Sequence, residues 1–195
     1  MVTSSGVGLV RRAAVLAAAL LVAGCASSAS TTRTTSTSRG AGVTAAELRA
    51  YIQQVEAVRL PVNVLLDGAD PILDAYRKKK ITPAVASGRM SALEQRFADY
   101  TVDINGITPT SRVLSQLHEP YAHTYFYEDS YLATLASDLN DGDFDNLPNT
   151  QAAQRLAIVE WRTQLELLAR QTGVMLPGDI DQAGRGEIAP SPGGS

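Results

Sequence analysis

The sequence predicts an all-α protein: an elongated, up-and-down antiparallel four-helix bundle with kinked first and third helices. Three observations lead there. Four stretches repeat their apolar residues at steps of three and four, which places one stripe along one face of a helix. The stretches open on residues that cap helices well, including two Thr-Pro pairs. The links between them are short, which favours antiparallel neighbours.

The first helix opens at Val43-Thr44-Ala45-Ala46-Glu47-Leu48. Thr44 and Glu47 have capping-box spacing, and Val43 with Leu48 can form a hydrophobic staple. Its stripe runs through Leu48, Tyr51, Ile52, Val55, Val62, Leu65, Leu66, Ala69, Ile72, Leu73 and Tyr76. Pro61 and Pro71 fall inside it, and each removes an amide donor and crowds the preceding turn. A kink is expected near Pro61, and a second kink or a true break at Asp67 to Pro71, with Asp70 capping a new helix after a break. Arg77 to Lys80 close the run, where cations suit the helix dipole.

The second helix starts at Thr82-Pro83 and carries the cleanest seam, Ala86, Met90, Leu93, Phe97, Tyr100, Ile104 and Ile107. Asn105-Gly106 can end it. The third starts at Thr108-Pro109, with Leu114, Leu117, Tyr121, Tyr125, Leu132 and Leu135 as its stripe and a kink at Pro120. The repeated Ile-Thr-Pro reflects shared turn chemistry, because the residues that follow it do not match. The fourth runs from about Asn149 to Thr172 on Ile158, Trp161, Leu165 and Leu168, with Gly173 as terminator. A helix of about 25 residues is ~38 Å long, hence the elongated body.

The N-terminus reads as an address. Arg11 and Arg12 precede the apolar run Ala13 to Gly24, which is too short for a membrane span of ~20 residues. A charged start, a short apolar run and small residues at the cut make a signal peptide. Val22-Ala23-Gly24-Cys25 then resembles the lipobox of bacterial lipoproteins. That resemblance covers residues 1–25. It implies cleavage by signal peptidase II before Cys25, diacylglycerol on the thiol and an acylated new amino terminus. Two acyl chains give stable anchoring where one is marginal. Val10 before the arginine pair and Ala13-Ala14 after it favour the general secretory route over twin-arginine export.

Residues 25–42 are then a tether. Ten of the 17 residues from Ala26 to Gly42 are Ser or Thr, and such a tract cannot bury enough apolar surface to fold. Residues 43–175 are the helical body, and 176–195 are expected to be a disordered Gly/Pro-rich tail.

Cys25 is the sole cysteine, so no disulfide closes within the chain. A chain cut before it keeps 15 bases against 20 acids, a balance that argues against nucleic acid as partner. His118-Glu119-Pro120-Tyr121-Ala122-His123 is similar to the zinc-protease motif HExxH with one residue too many. Its histidines would point ~140° apart on a helix, which disfavours a shared zinc ion. Glu119 and His123 are expected to pair at i,i+4. Asp141, Asp143 and Asp145 alternate like the first ligands of a calcium loop. The positions for its glycine and its bidentate glutamate hold Asn146 and Ala152, so a calcium site would be weak. Tyr121 and Tyr125 fall on the core stripe, whereas Tyr127 and Tyr131 pair on another face. The four read as bundle packing or as a patch for a ligand or partner. No nucleophile motif or phosphate-binding glycine loop appears.

The sequence thus predicts an exported lipoprotein on the outer face of the cell membrane. Its body would bind an envelope protein or small ligand, without catalysis or cofactor. The alternatives are an envelope enzyme whose site assembles only in the fold, and a calcium-responsive module.

Overall fold

The computed structural model describes residues 42–180, 183–184 and 186–192. The signal segment 1–24, the lipobox residues Val22, Ala23 and Gly24 with Cys25, and the tether as far as residue 41 lie outside the described residues. The described chain is all-helical, with α1 Ala45–Leu66, α2 Ala69–Arg77, α3 Pro83–Gly106, α4 Arg112–Asp141 and α5 Gln151–Thr172. Among the described residues no helix is long and apolar enough to cross a membrane.

Local chemistry accounts for most helix ends. At α1 the capping box is complete: Glu47 N–H donates to Thr44 Oγ1 at 3.2 Å, and Thr44 N–H donates to Glu47 Oε2 at 2.8 Å. At α3, Thr82 Oγ1 accepts from Val85 N–H at 3.3 Å. Gly142 and Gly173 end α4 and α5 with left-handed backbone.

Three boundaries differ from the sequence reading. The first run is broken at Asp67-Gly68, the break the sequence allowed, but Gly68 rather than Asp70 holds the cap position of α2. Asp70 lies in the first turn, where its charge faces the positive end of the helix dipole. Pro71 shares that turn, in which amides lack intrahelical partners anyway. Second, α4 is capped by Ser111, whose Oγ accepts from Leu114 N–H at 3.1 Å, and not by Thr108. A helix beginning at Pro109 would leave only Ile107 and Thr108 to reverse the chain after α3. Third, α5 begins at Gln151, two residues after Asn149, and its cap residue Thr150 makes no side-chain cap bond.

The helices meet through the predicted stripes. Phe97 of α3 stacks on Tyr125 of α4 at 5.6 Å between ring centroids. Tyr121 of α4 stacks on Trp161 of α5 at 4.2 Å. Tyr51 of α1 meets His118 of α4 edge to face at 5.6 Å. The predicted stripe residues Ile72, Tyr76, Tyr100, Ile107, Leu117 and Leu168 are half-buried at the margin of this core.

The C-terminal segment departs most from expectation. Predicted as a disordered tail, it is packed on the body at its described residues, with Ile180, Ala183, Glu187 and Ala189 buried. Two of its glycines, Gly184 and Gly186, lie close against the helices. Gly184 turns the chain at φ +92°, and a Cβ on Gly186 would sit 3.2 Å from Cγ of Asn63 in α1. Composition cannot distinguish a backbone kept loose from one kept thin enough to lie flat.

Candidate functional site

A seam of buried polar groups runs through the body beneath the C-terminal segment. Helix α1 contributes Tyr51, Glu56 and Arg59, interleaved with the apolar stripe Val55, Val58 and Val62. Arg59 is 1 % exposed. Its Nε and Nη2 donate to the two Glu56 carboxylate oxygens at 2.8 and 3.0 Å, a forked pair one helical turn apart. Nη1 donates to Glu187 Oε1 at 3.3 Å, and Nη2 also meets Asp179. One guanidinium thus gathers three carboxylates, two of them from the C-terminal segment. Burial works against the Arg59 charge, but its bond to Glu56 and the charges of Glu187 and Glu56 outweigh burial and hold the proton more tightly than usual. Burial pushes the Glu187 carboxyl up, opposed by Arg59 and by the Tyr121 hydroxyl that donates to it at 3.1 Å.

A second carboxylate lies deeper. Glu128 of α4 is 1 % exposed. Its Oε1 accepts from the backbone N–H of Ala189 at 2.8 Å, and its Oε2 accepts from Gln154 Nε2 of α5 at 2.9 Å. Burial raises its pKa to about 7, against the pull of those two bonds. Gln151 Nε2 donates to the Ala189 carbonyl at 3.0 Å, and the Tyr131 hydroxyl donates to the Pro190 carbonyl at 3.2 Å. Side chains of α4 and α5 therefore bind the main chain of residues 189–190.

The third group is a directed chain. Trp161 Nε1–H donates to the Tyr51 hydroxyl at 2.8 Å. That hydroxyl lies 3.2 Å from His118 Nδ1, and His118 Nε2 lies 2.9 Å from the Ile104 carbonyl. A carbonyl only accepts, so Nε2 carries the proton, and Nδ1 accepts from Tyr51. The imidazole is neutral, and burial lowers its pKa despite the Ile104 bond.

Of the predicted patch, Tyr121, Tyr125 and Tyr131 are buried and only Tyr127, at 37 % exposed, reaches the surface. The four therefore form no exposed patch. Tyr121 and Tyr125 fill the core, Tyr131 points at Pro190, and Tyr127 packs on His123 with ring centroids 4.8 Å apart. That ring contact takes His123 where a pair with Glu119 was expected. Asp141, Asp143 and Asp145 do not converge. Asp143 Oδ1 accepts from Asp145 N–H at 3.0 Å, and Asp141 Oδ1 accepts from the Asn140 amide at 3.1 Å. Among the described residues no group of three or more His, Cys, Asp or Glu could hold a metal ion.

Sequence reasoning missed Arg59, Glu56, Glu128, Gln154 and Glu187. A signal existed for some. Glu128 falls at the stripe position between Tyr125 and Leu132, and Glu56-Arg59 interrupts the stripe of α1 at salt-bridge spacing. Nothing local marks Glu187 as buried, since its side-chain partners Arg59 and Tyr121 are more than 60 positions away in sequence. Away from this seam, an apolar cleft of about 300 Å³ opens between α4 and α5, lined by Val113, Leu117, Pro120, Ala157, Trp161 and Leu168 among others.

Comparison of the chain with models of protein families, with curated proteins and with solved structures returns no match.

Proposed function

We propose that this chain is an exported lipoprotein, anchored through acylated Cys25 to the outer face of the cell membrane, whose helical body works by binding and not by catalysis. Its partners are the membrane, through the anchor, and an envelope protein or small ligand. Nucleic acid is not among them. The single observation that supports binding over catalysis is how the buried ionisable groups are used. Arg59, Glu187, Glu128 and His118 are each bonded to other parts of the fold, which suits groups that hold a scaffold in shape.

In this reading α1, α3, α4 and α5 form the up-and-down antiparallel bundle, elongated and kinked at Pro61 and Pro120. Cross-helix pairs support it, since Phe97 meets Tyr125 while Asn105, later in α3, meets Ala122, earlier in α4. Likewise Gln154 meets Glu128, and Trp161, later in α5, meets Tyr121.

Two measurements test this reading. Metabolic labelling with a fatty acid should mark the wild type and not Cys25→Ala; equal labelling defeats the anchor. A photoreactive residue at Leu117, in the α4–α5 cleft, should give one discrete envelope adduct, whereas one at exposed Val64 should give none. Indistinguishable smears from both positions would defeat the binding module.

A further inference from the structure

We propose that the groove holding residues 187–190 is a peptide-binding site, and that the C-terminal segment is its resident occupant, displaceable by a glutamate-bearing segment of a partner protein. This rests on the reading of the body as a binding module and names the chemistry of its partner.

Contacts of two kinds carry the inference. The first are made to main chain: Glu128 takes the Ala189 N–H, Gln151 reaches the Ala189 carbonyl and Tyr131 reaches the Pro190 carbonyl. These hold any segment that presents an N–H and two carbonyls at this spacing, whatever its side chains. The second read one side chain. The Glu187 carboxylate is met by Arg59 on one oxygen and Tyr121 on the other. Main-chain bonds for affinity with one side-chain pocket for specificity is the division of labour of proteins that bind extended peptides. At its described residues 186–192 the occupant has no helix or strand, and it is joined to α5 through exposed residues such as Met175. A competing segment needs a glutamate, then two positions later a small residue with a free N–H, because Ala189 is buried and its amide is used. Proline at that place is excluded.

A partner segment competes with the tail at the tail's high local concentration. The tail therefore raises the threshold for binding, and segments lacking the glutamate are turned away.

The test uses the full chain with a specific protease site inserted after Met175, which is 92 % exposed. The probe is a fluorescent peptide with the sequence of residues 179–192. The uncut protein should not bind the probe at concentrations where the cut protein binds it saturably, with unlabelled peptide competing and with helical circular dichroism unchanged. A probe carrying Glu187→Ala should bind the cut protein at least tenfold more weakly. Absence of exchange in the cut protein overturns the proposal, and so does loss of helix once the tail departs. Equal binding of the Glu187→Ala probe overturns it as well. Failure here with the helices intact leaves the Leu117 adduct untouched, so the groove and the wider binding reading fail separately.

Discussion

Glu128 and Ala189 lie 61 positions apart, yet the carboxylate of one accepts the backbone N–H of the other at 2.8 Å. With Gln154 on its second oxygen, Glu128 meets two donors, and among the described residues neither is a cation. The bonds call for the anion and burial opposes it. This tension gives the fold a pH dependence with a definite sign.

The folded pKa of Glu128, about 7, lies above its ordinary 4.5, so between those values the folded state binds more protons than the unfolded state. Stability is therefore fullest below pH 4.5 for this group and falls as pH rises through 7. The shift corresponds to about 3 kcal/mol. Glu187, also raised by burial, acts in the same direction. Glu128→Gln removes the charge, and its stability should decline less between pH 5 and pH 8 than that of the wild type. Thermal melts across that range check it, and identical slopes would count against the buried anion. His118 acts oppositely. Its folded pKa lies below 6.5, so its contribution is present above pH 6.5 and is lost on acidification below that value.

Removing Arg59 should be severe. The guanidinium is buried with Glu56 and Glu187, and loss of one member of a buried pair leaves the others uncompensated at a cost of about 3–5 kcal/mol. Arg59→Leu should show that loss in urea unfolding, together with faster proteolysis at residues 176–192. A loss below about 1 kcal/mol, the scale of an exposed ion pair, would show that the cluster is solvated.

The Tyr51 hydroxyl joins one donor and one acceptor, Trp161 N–H and His118 Nδ1. In Tyr51→Phe, both Trp161 N–H and His118 Nδ1 lose their partner, at about 1–3 kcal/mol for a buried unsatisfied group. Trp161 is the only tryptophan, so its fluorescence in a denaturant titration reads both the stability and the local change.

The start of α4 offers a comparison between neighbouring hydroxyls. Ser111→Ala should cost about 1 kcal/mol, the usual worth of a cap. Thr108→Ala, in the link before it, should be nearly neutral, since its side chain caps no helix. Equal effects in chemical denaturation would return the helix start to Thr108.

These boundaries show what the sequence makes legible. Stripe residues such as Ala86, Met90, Leu93, Phe97 and Ile104 were readable because burial follows a local period, and Thr44 and Thr82 because capping is local chemistry. The Thr108-Pro109 start failed because the link length needed to reverse the chain outweighed a good local cap. The tyrosines were visible as residues, but a period cannot tell Tyr131, turned to Pro190, from exposed Tyr127. The seam was least legible. Arg59 and Glu187 are charged residues whose burial depends on each other, and neither segment alone announces its partner. The C-terminal segment misled by composition, since Gly184 and Gly186 signal looseness in sequence and close approach in structure.

The docked C-terminal segment is the hinge of this account, and hydrogen exchange at the Ala189 amide tests it most directly. In the full-length protein at neutral pH that amide should exchange at least about 100-fold more slowly than in the free peptide, and Glu128→Ala should abolish the protection. Exchange at the free-peptide rate in the wild type would contradict the account.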